Sequence, residues 1–174
     1  VKINDMFRRS NDLEGVEERV TMEDLKSLLN VGQQQGVINP VEKSIIDSVI
    51  VFDNKQAEEI MTARTEVFAI DINTPIDEYI DEIMELRYSR IPVYEESIDS
   101  IIGILYMKDL LKVTYTHDLL NFDIRSILRE PYFVPERKNI NDLFVELKAT
   151  RNHIAILIDE YGGFTGIVTM EDLI

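Results

Sequence analysis

The hydrophobic positions of this 174-residue chain change their spacing near residue 55. Before that point the spacing is helical. Leu25, Leu28 and Leu29 recur at three- and four-residue intervals behind Thr21, a residue type that caps helix N-termini, and Gly36 closes the segment. Asn39-Pro40-Val41-Glu42 then reads as a second helix start, with Asn as cap, Pro in the first turn and Glu at the third helical position. Ile45, Ile46, Val49 and Ile50 give that helix an apolar stripe. The polar residues before about Gly15 show little periodicity and are expected to be a mobile lead-in.

After Lys55, short apolar runs alternate with helical stripes. Residues 67–70 read as a strand, and Thr74-Pro75 as the start of a helix whose Ile76, Ile80, Ile83 and Met84 share a face. Residues 91–94 and 101–106 read as two further strands, with a helix opening near Asp109. The order then returns: a strand at 132–134, a helix carrying Ile140, Leu143, Phe144 and Leu147, strands at 154–158 and 164–168, and a last helix start. The predicted unit is strand, helix, strand, strand, helix, used twice.

The residues repeat as well as the pattern. Arg90-Ile91-Pro92-Val93-Tyr94 followed by Ile102-Gly103-Ile104-Leu105-Tyr106-Met107-Lys108-Asp109-Leu110 comes back 63 positions later as His153-Ile154-Ala155-Ile156-Leu157 and Thr165-Gly166-Ile167-Val168-Thr169-Met170-Glu171-Asp172-Leu173. From Arg90/His153 to Leu110/Leu173 the copies align without a gap, so one-residue differences are expected before that stretch. Two copies are too few for a solenoid and predict a pseudo-symmetric pair.

Charge and composition narrow the function. With 18 Lys and Arg against 33 Asp and Glu, the net charge of -15 repels polyanions and argues against nucleic acid as a partner, without excluding one small anion held by a local cluster. There is no cysteine, hence no disulfide framework, thiolate nucleophile or cysteine-ligated zinc, and an intracellular address fits. The longest apolar run, around 101–107, is far short of the ~18 residues of a membrane span, and no secretory leader opens the chain. The absence of an initiating Met, and the stop at the Asp172-Leu173-Ile174 that matches Asp109-Leu110-Leu111, suggest an excerpt of a longer protein.

Four stretches carry a family resemblance: Ile60-Met61-Thr62-x-Arg64-Thr65; Tyr88-Ser89-Arg90-Ile91-Pro92-Val93-Tyr94; Lys108-Asp109-Leu110; and Asp159-Glu160-Tyr161-Gly162-Gly163 with Gly166-Ile167-Val168-Thr169-Met170-Glu171-Asp172. Together they resemble a pair of CBS domains, and more narrowly the cytosolic region of CorC/hemolysin C-like and CNNM (cyclin M)-like magnesium transporters. Residues 36–61 resemble that family's acidic helical linker to a membrane domain. The resemblance covers about residues 20–174. It implies an α+β fold of tandem CBS domains packed as a pseudo-twofold Bateman module behind a short helical segment. The expected divisions are 1–54 for the helical linker, 55–115 for the first domain and 118–174 for the second. It also implies a homodimer, the membrane domain of the same full-length protein as partner, a place on the cytoplasmic side of the cell membrane, and an adenine nucleotide, ATP or AMP, with or without Mg2+.

The residues suit such a ligand. In Thr169-x-x-Asp172 the hydroxyl ends a strand and the carboxylate follows about one turn later, so both face one side of a corner. A carboxylate accepting from ribose hydroxyls makes charge-assisted hydrogen bonds worth roughly 1.5–3 kcal/mol each. The hydroxyl and helix-start amides suit phosphate oxygens, and Arg90 and Arg64 are candidate cations. Tyr88 offers a flat surface, and the Ile91-Pro92 edge offers backbone contacts. The expected cleft thus joins Thr62, Tyr88, Arg90, Ile91 and Pro92 to Thr169, Glu171 and Asp172. In the sister cleft Tyr106 replaces Thr169 while Asp109 is kept.

Plainer readings stand beside these. Thr169 and Asp172 also suit a helix cap, Arg90 a surface ion pair and Tyr88 core packing. Gly162-Gly163 suits a tight turn and is no phosphate loop, because no Gly-Lys-Ser/Thr follows. His117 and His153 are too isolated for a metal site, and Asp12, Glu14, Glu17, Glu18, Glu23 and Asp24 suit either a solvated face or weak divalent-cation binding. No catalytic Ser/His/Asp or Cys/His set is apparent, so the expectation is a non-enzymatic regulatory module. The alternative is a structural dimerisation module of a hemolysin-like membrane protein with vestigial clefts; a membrane-damaging role is weakest, for want of a cationic amphipathic helix.

Overall fold

The computed structural model describes residues 20–174. The polar lead-in and the acidic Asp12, Glu14, Glu17 and Glu18 lie outside them. The described residues fall into two compact units, one ending at Val51 and the other running Phe52–Ile174. In the first, helix α1 (Met22–Gln34) opens on a reciprocal capping box, with Asp24 N–H donating to Thr21 Oγ1 at 3.2 Å and Thr21 N–H to the Asp24 carboxylate at 2.9 Å. Gly36, at φ 75, takes the left-handed conformation that turns the chain toward helix α2 (Pro40–Asp53). Asn39 and Glu42 repeat the box there at 2.8 and 3.0 Å.

The second unit begins with α3 (Ala57–Ile60) and β1 (Thr62–Ala63). The first repeat follows as β2 (Ile70–Asp71), α4 (Ile80–Leu86), β3 (Arg90–Glu95), β4 (Ser97–Tyr106) and α5 (Met107–Thr116). The second is β5 (Phe133–Pro135), α6 (Ile140–Thr150), β6 (Ile154–Ile158), β7 (Phe164–Thr169) and a closing 3-10 turn, Met170–Leu173. One sheet has the order β2-β3-β4 and the other β1-β7-β6-β5. In each, a parallel pair bridged by a helix is followed by an antiparallel hairpin.

Several expectations need correction. The strand predicted at 67–70 shortens to Ile70–Asp71, because a 3-10 turn at Arg64–Glu66 interrupts the approach. Thr74-Pro75 does not cap an α-helix: a 3-10 turn at Ile76–Glu78 comes first, and Tyr79 precedes α4. Three residues per turn lose the phase carried from Ile76, so Ile76 and Ile83 are buried while Met84 faces solvent. The last predicted helix start is a four-residue 3-10 turn. The gap-free repeat is also one residue off on one strand. Val93 pairs with Gly103, whereas the matching pair is Leu157 with Gly166, so β4 and β7 are related by 63 residues but β3 and β6 by 64. The left-handed residues ending α4 and α6, Arg87 and Arg151, keep the 64-residue step, both at φ 57. The first hairpin is the longer one, and bulges near Tyr94 with Glu96 at φ 66 absorb the extra residue. The structural counterpart of Arg90 is therefore Ile154, not His153.

Each repeat lends its entering segment to the other. Strand β1 lies on β7, with Thr62 opposite Ile167 and Ala63 opposite Gly166. In mirror fashion Arg129 bridges Ile104 of β4 through two backbone hydrogen bonds of 2.8 and 3.0 Å. The approach is close enough to require glycine: a Cβ on Gly103 would stand 2.8 Å from Leu128 Cβ, and one on Gly166 2.7 Å from Met61 Sδ. Between the sheets, Ile101, Ile104 and Tyr106 from β4 pack with Ile154 and Ile156 from β6 and Phe164 from β7. This is the sheet-to-sheet seam of the pseudo-twofold pair, and each fully buried Ile there contributes on the order of 1.5–3 kcal/mol. Separate helix-side cores centre on Ile83, Val93 and Leu110 in the first repeat and on Leu143, Leu147 and Leu157 in the second.

Candidate functional site

The crossing of β1 onto β7 brings Thr62 to the strand that ends at Thr169. Thr169 caps the closing turn: its Oγ1 accepts Asp172 N–H at 3.4 Å, while Asp172 Oδ2 accepts Thr169 N–H at 2.8 Å and the Thr169 hydroxyl at 2.9 Å. The capping reading of these residues is thus realised. All three contacts join Thr169 to Asp172, and the two that reach the carboxylate fall on Oδ2; among the described residues no bond to Asp172 Oδ1 occurs, and a carboxylate can accept several more.

Opposite this corner stands Arg90, the first residue of β3. Its Nη1 donates to Glu171 Oε1 at 3.2 Å, which joins the two repeats, and its side chain is only 18% exposed. Its Nε is buried and has no partner among the described residues. Glu171 is held below the ordinary carboxyl range by its own backbone N–H and then by Arg90, against partial burial. Beside Arg90 a cleft of about 410 Å3 is lined by Arg87, Tyr88, Ser89, Tyr106 and Lys108, among others, within the ~300–1,000 Å3 usual for small-ligand sites. Three cations at one apolar-floored cleft give it an anion-attracting character in a chain of net charge -15.

The other expected residues are placed as follows. Tyr88 is half exposed and stacks on Phe68 with ring centroids 6.2 Å apart, so one face remains presentable. Ile91 and Pro92 are buried; the Ile91 side chain belongs to the first repeat's core, leaving only backbone to contact a ligand. Arg64 is not in the cleft. It donates to Asp99 at 2.6 Å and to the Phe164 carbonyl at 3.2 Å, and so ties β4 to β7 instead. Of the expected residues only Tyr88 and Arg90 line the 410 Å3 cleft, which is built entirely from the first repeat; Thr62, Ile91, Pro92, Thr169, Glu171 and Asp172 do not, and the Arg90–Glu171 pair is what connects the Thr169–Asp172 corner to it.

Sequence reasoning missed Arg87, Ser89 and Lys108 at the cleft, and it missed Arg129. Lys108 was visible as the counterpart of Glu171. Arg129 could have been found by matching Ile127-Leu128-Arg129 to Ile60-Met61-Thr62. At the sister corner Arg129 forks onto Asp109, with Nε to Oδ2 at 2.9 Å and Nη2 to Oδ1 at 3.2 Å. Gly162-Gly163 forms the expected turn: Gly162 sits at φ 79, and Asp159 accepts the N–H groups of Tyr161 and Gly163 at 2.9 and 2.8 Å. Among the described residues no group of three His, Cys, Asp or Glu is placed to hold a metal ion, and no helix is long and apolar enough to cross a membrane.

The family model for the CBS domain matches residues 57–115 and 123–174. The chain belongs to the CBS domain family. The chain is 34% identical over 152 residues to the magnesium and cobalt efflux protein CorC of Escherichia coli K12, a match covering 87% of this chain and 52% of that protein. It is 39% identical to a CBS domain of the bacterial CNNM/CorC family Mg2+ transporter, with a TM-score of 0.78 over 89% of this chain and 94% of that one. A CBS domain of the same description in complex with ATP is 41% identical, with a TM-score of 0.71 over 77% of this chain and 94% of that one. The chain spans a quarter to about half the length of the curated relatives it matches.

Proposed function

We propose that this CBS pair is a regulatory module that binds an adenine nucleotide between Arg90 and the Thr169–Asp172 corner. The observation that carries this reading is the Arg90–Glu171 link, which spans the two repeats at the lip of a cationic cleft and leaves a buried guanidinium nitrogen unpartnered. Asp172 accepts from the ribose through the oxygen its cap leaves over. The phosphates lie toward Arg90, Arg87 and Lys108, with the hydroxyls of Thr62 and Thr169 beside them, and the base lies against Tyr88 and the Ile91-Pro92 backbone. The ATP complex of a similar CBS domain supports this choice of ligand.

Because the ligand touches both repeats, it favours whichever mutual arrangement lets both sides reach it, and the shift equals its differential affinity for the two arrangements. In the full-length protein that shift is read by a membrane domain moving magnesium or another divalent cation, with residues 1–54 as the helical connection to repeats at 55–115 and 118–174. The module acts on the cytoplasmic side, as a homodimer, without catalysis and without nucleic acid. One observation favours the second reading, a structural dimerisation module: at the sister corner Arg129 already engages both carboxylate oxygens of Asp109.

Calorimetric titration with ATP and AMP, each with and without Mg2+, tests the proposal. Saturable binding is expected, weakened roughly 10- to 150-fold in Asp172→Ala by the loss of about 1.5–3 kcal/mol. Absence of heat at millimolar nucleotide in a folded chain would leave the structural module as the better reading.

A further inference from the structure

Asp109, Lys112, Val113 and Thr116 recur at three- and four-residue spacing and so share one face of α5. The connector that leads on to the second repeat runs beside that face. Two 3-10 turns stiffen it, Leu119–Asn121 and Ile124–Ile127, and each opens on an aspartate, Asp118 or Asp123, that accepts a backbone N–H at 3.1 or 3.0 Å. Helix and connector enclose a cavity of about 500 Å3, larger than the 410 Å3 cleft beside Arg90 and lined by no strand or helix of the second repeat. We propose that this cavity is a separate ligand site, for a small organic anion that carries one negative charge on an aromatic or branched aliphatic body.

The space suits the body of such a ligand. Val113 is buried, Ile127 and Phe122 are half-buried, and the Phe122 ring is held 5.6 Å from that of His117. The volume falls within the ~300–1,000 Å3 usual for small-ligand sites. Most polar groups around it are already engaged. Asp109 gives both carboxylate oxygens to Arg129, the Thr116 hydroxyl donates to the Lys112 carbonyl at 3.2 Å and lies 2.7 Å from His117 Nδ1, and the Ser126 hydroxyl donates to the Asp123 carbonyl at 2.8 Å. Lys112 differs: among the described residues its ammonium has neither an ion-pair nor a hydrogen-bond partner. A carboxylate or sulfonate head gives that ammonium a charge-assisted contact while the body covers Phe122 and Ile127. The number of free cations sets the ligand's charge. Arg87, Arg90 and Lys108 at the other cleft suit several negative charges, whereas beside Lys112 every charge after the first would go unpaired in a chain of net charge -15. The site is independent of the nucleotide reading.

Anilinonaphthalene sulfonate, an aromatic body with a single sulfonate that fluoresces on apolar surfaces, is the test probe. Titration of the unaltered chain is expected to saturate at one probe per chain, and excess ATP with Mg2+ should not displace it. Lys112→Met should weaken binding about 5- to 10-fold, between the worth of an exposed ion pair and that of a charge-assisted hydrogen bond. Ser126→Phe, which turns a ring into the cavity from its exposed wall, should weaken it by more than about 10-fold. Fluorescence that does not saturate overturns the proposal, as does an affinity that either variant leaves unchanged, or displacement by ATP. Should Ser126→Phe not fold, Lys112→Glu decides in its place: a loss larger than that of Lys112→Met supports the site, and a loss no larger overturns it.

Discussion

The two corners of this CBS pair share a backbone and part company in their side chains. Each is built where one repeat's entering segment lies across the other's hairpin, and each keeps a carboxylate, Asp172 or Asp109, three residues after the strand ends. By the register of the repeats, the counterparts of Thr62, Thr169, Arg90 and Glu171 are Arg129, Tyr106, Ile154 and Lys108, and of these Tyr106 and Lys108 line the cleft beside Arg90 while Ile154 is buried in the seam. The first leaves its carboxylate half used; the second satisfies its own internally. What is common to both ends is what packing demands, namely glycines under a crossing strand and apolar residues on the seam. What differs lies where packing is indifferent to chemistry, which is why duplication can preserve a fold while the two corners carry different side chains.

The largest effect should come from breaking the shared backbone. Gly166→Ala and Gly103→Ala each force a Cβ into an occupied crossing. Overpacking of this kind costs about 1–3 kcal/mol and occasionally more. Gly166 should be the worse site, because its Cβ meets the Thr62 carbonyl oxygen as well as Met61, whereas Gly103 meets chiefly the Leu128 side chain. Urea unfolding midpoints check this, since the midpoint moves with stability at constant slope. Equal, negligible shifts would mean the crossings are not what pins the two repeats.

A smaller and more local effect separates the corners chemically. Arg90→Met removes the cation that has no counterpart at the second corner, and losing a charge-assisted contact of about 1.5–3 kcal/mol predicts roughly a 10- to 150-fold fall in ATP affinity. If Arg90 faces phosphates, AMP should lose less than ATP in the same titration. An identical loss for both would make Arg90 a positioning residue acting through Glu171.

The fold class and the pairing of repeats were legible because buried positions obey periodicity. Ile83, Ile104, Leu143 and Leu157, all within the predicted elements, are buried. The exchange of β1 between sheets was not legible, since two residues, Thr62 and Ala63, carry no alternation to read. The one-residue step between hairpins was hidden for a related reason: a bulge absorbs it without disturbing the apolar pattern on either side. At the candidate site, the nearness of Arg90 to Glu171 and of Thr62 to the strand ending at Thr169 agrees with the motif. Arg64 fails the same reading because its charge is satisfied by Asp99, 35 residues away, and no local pattern announces that pairing. Arg129 escaped because its counterpart is a Thr, so only the flanking Ile127-Leu128, which match Ile60-Met61, could mark the equivalence.

The smallest expected effect concerns that Arg64 pairing, which also exists at one end only, since the residue matching Arg64 in the second repeat is Pro131. Asp99 accepts the Phe164 N–H at 3.0 Å and the Arg64 guanidinium at 2.6 Å, and so straps β4 to β7. Its carboxyl is held below the usual range, first by the Phe164 N–H and then by Arg64. A carboxyl whose folded pKa lies below the unfolded value of about 3.9 stabilises the fold above that value, and the contribution disappears as pH falls through the folded pKa. The strap is solvent-exposed and screened, so the loss should be modest. Melting temperatures of the unaltered chain and Asp99→Asn are expected to differ at pH 7 and to converge below about pH 4. Curves that stay parallel to pH 2.5 would show that the carboxylate's charge contributes nothing to holding the two sheets together, and that the asymmetry between the ends is confined to the corners themselves.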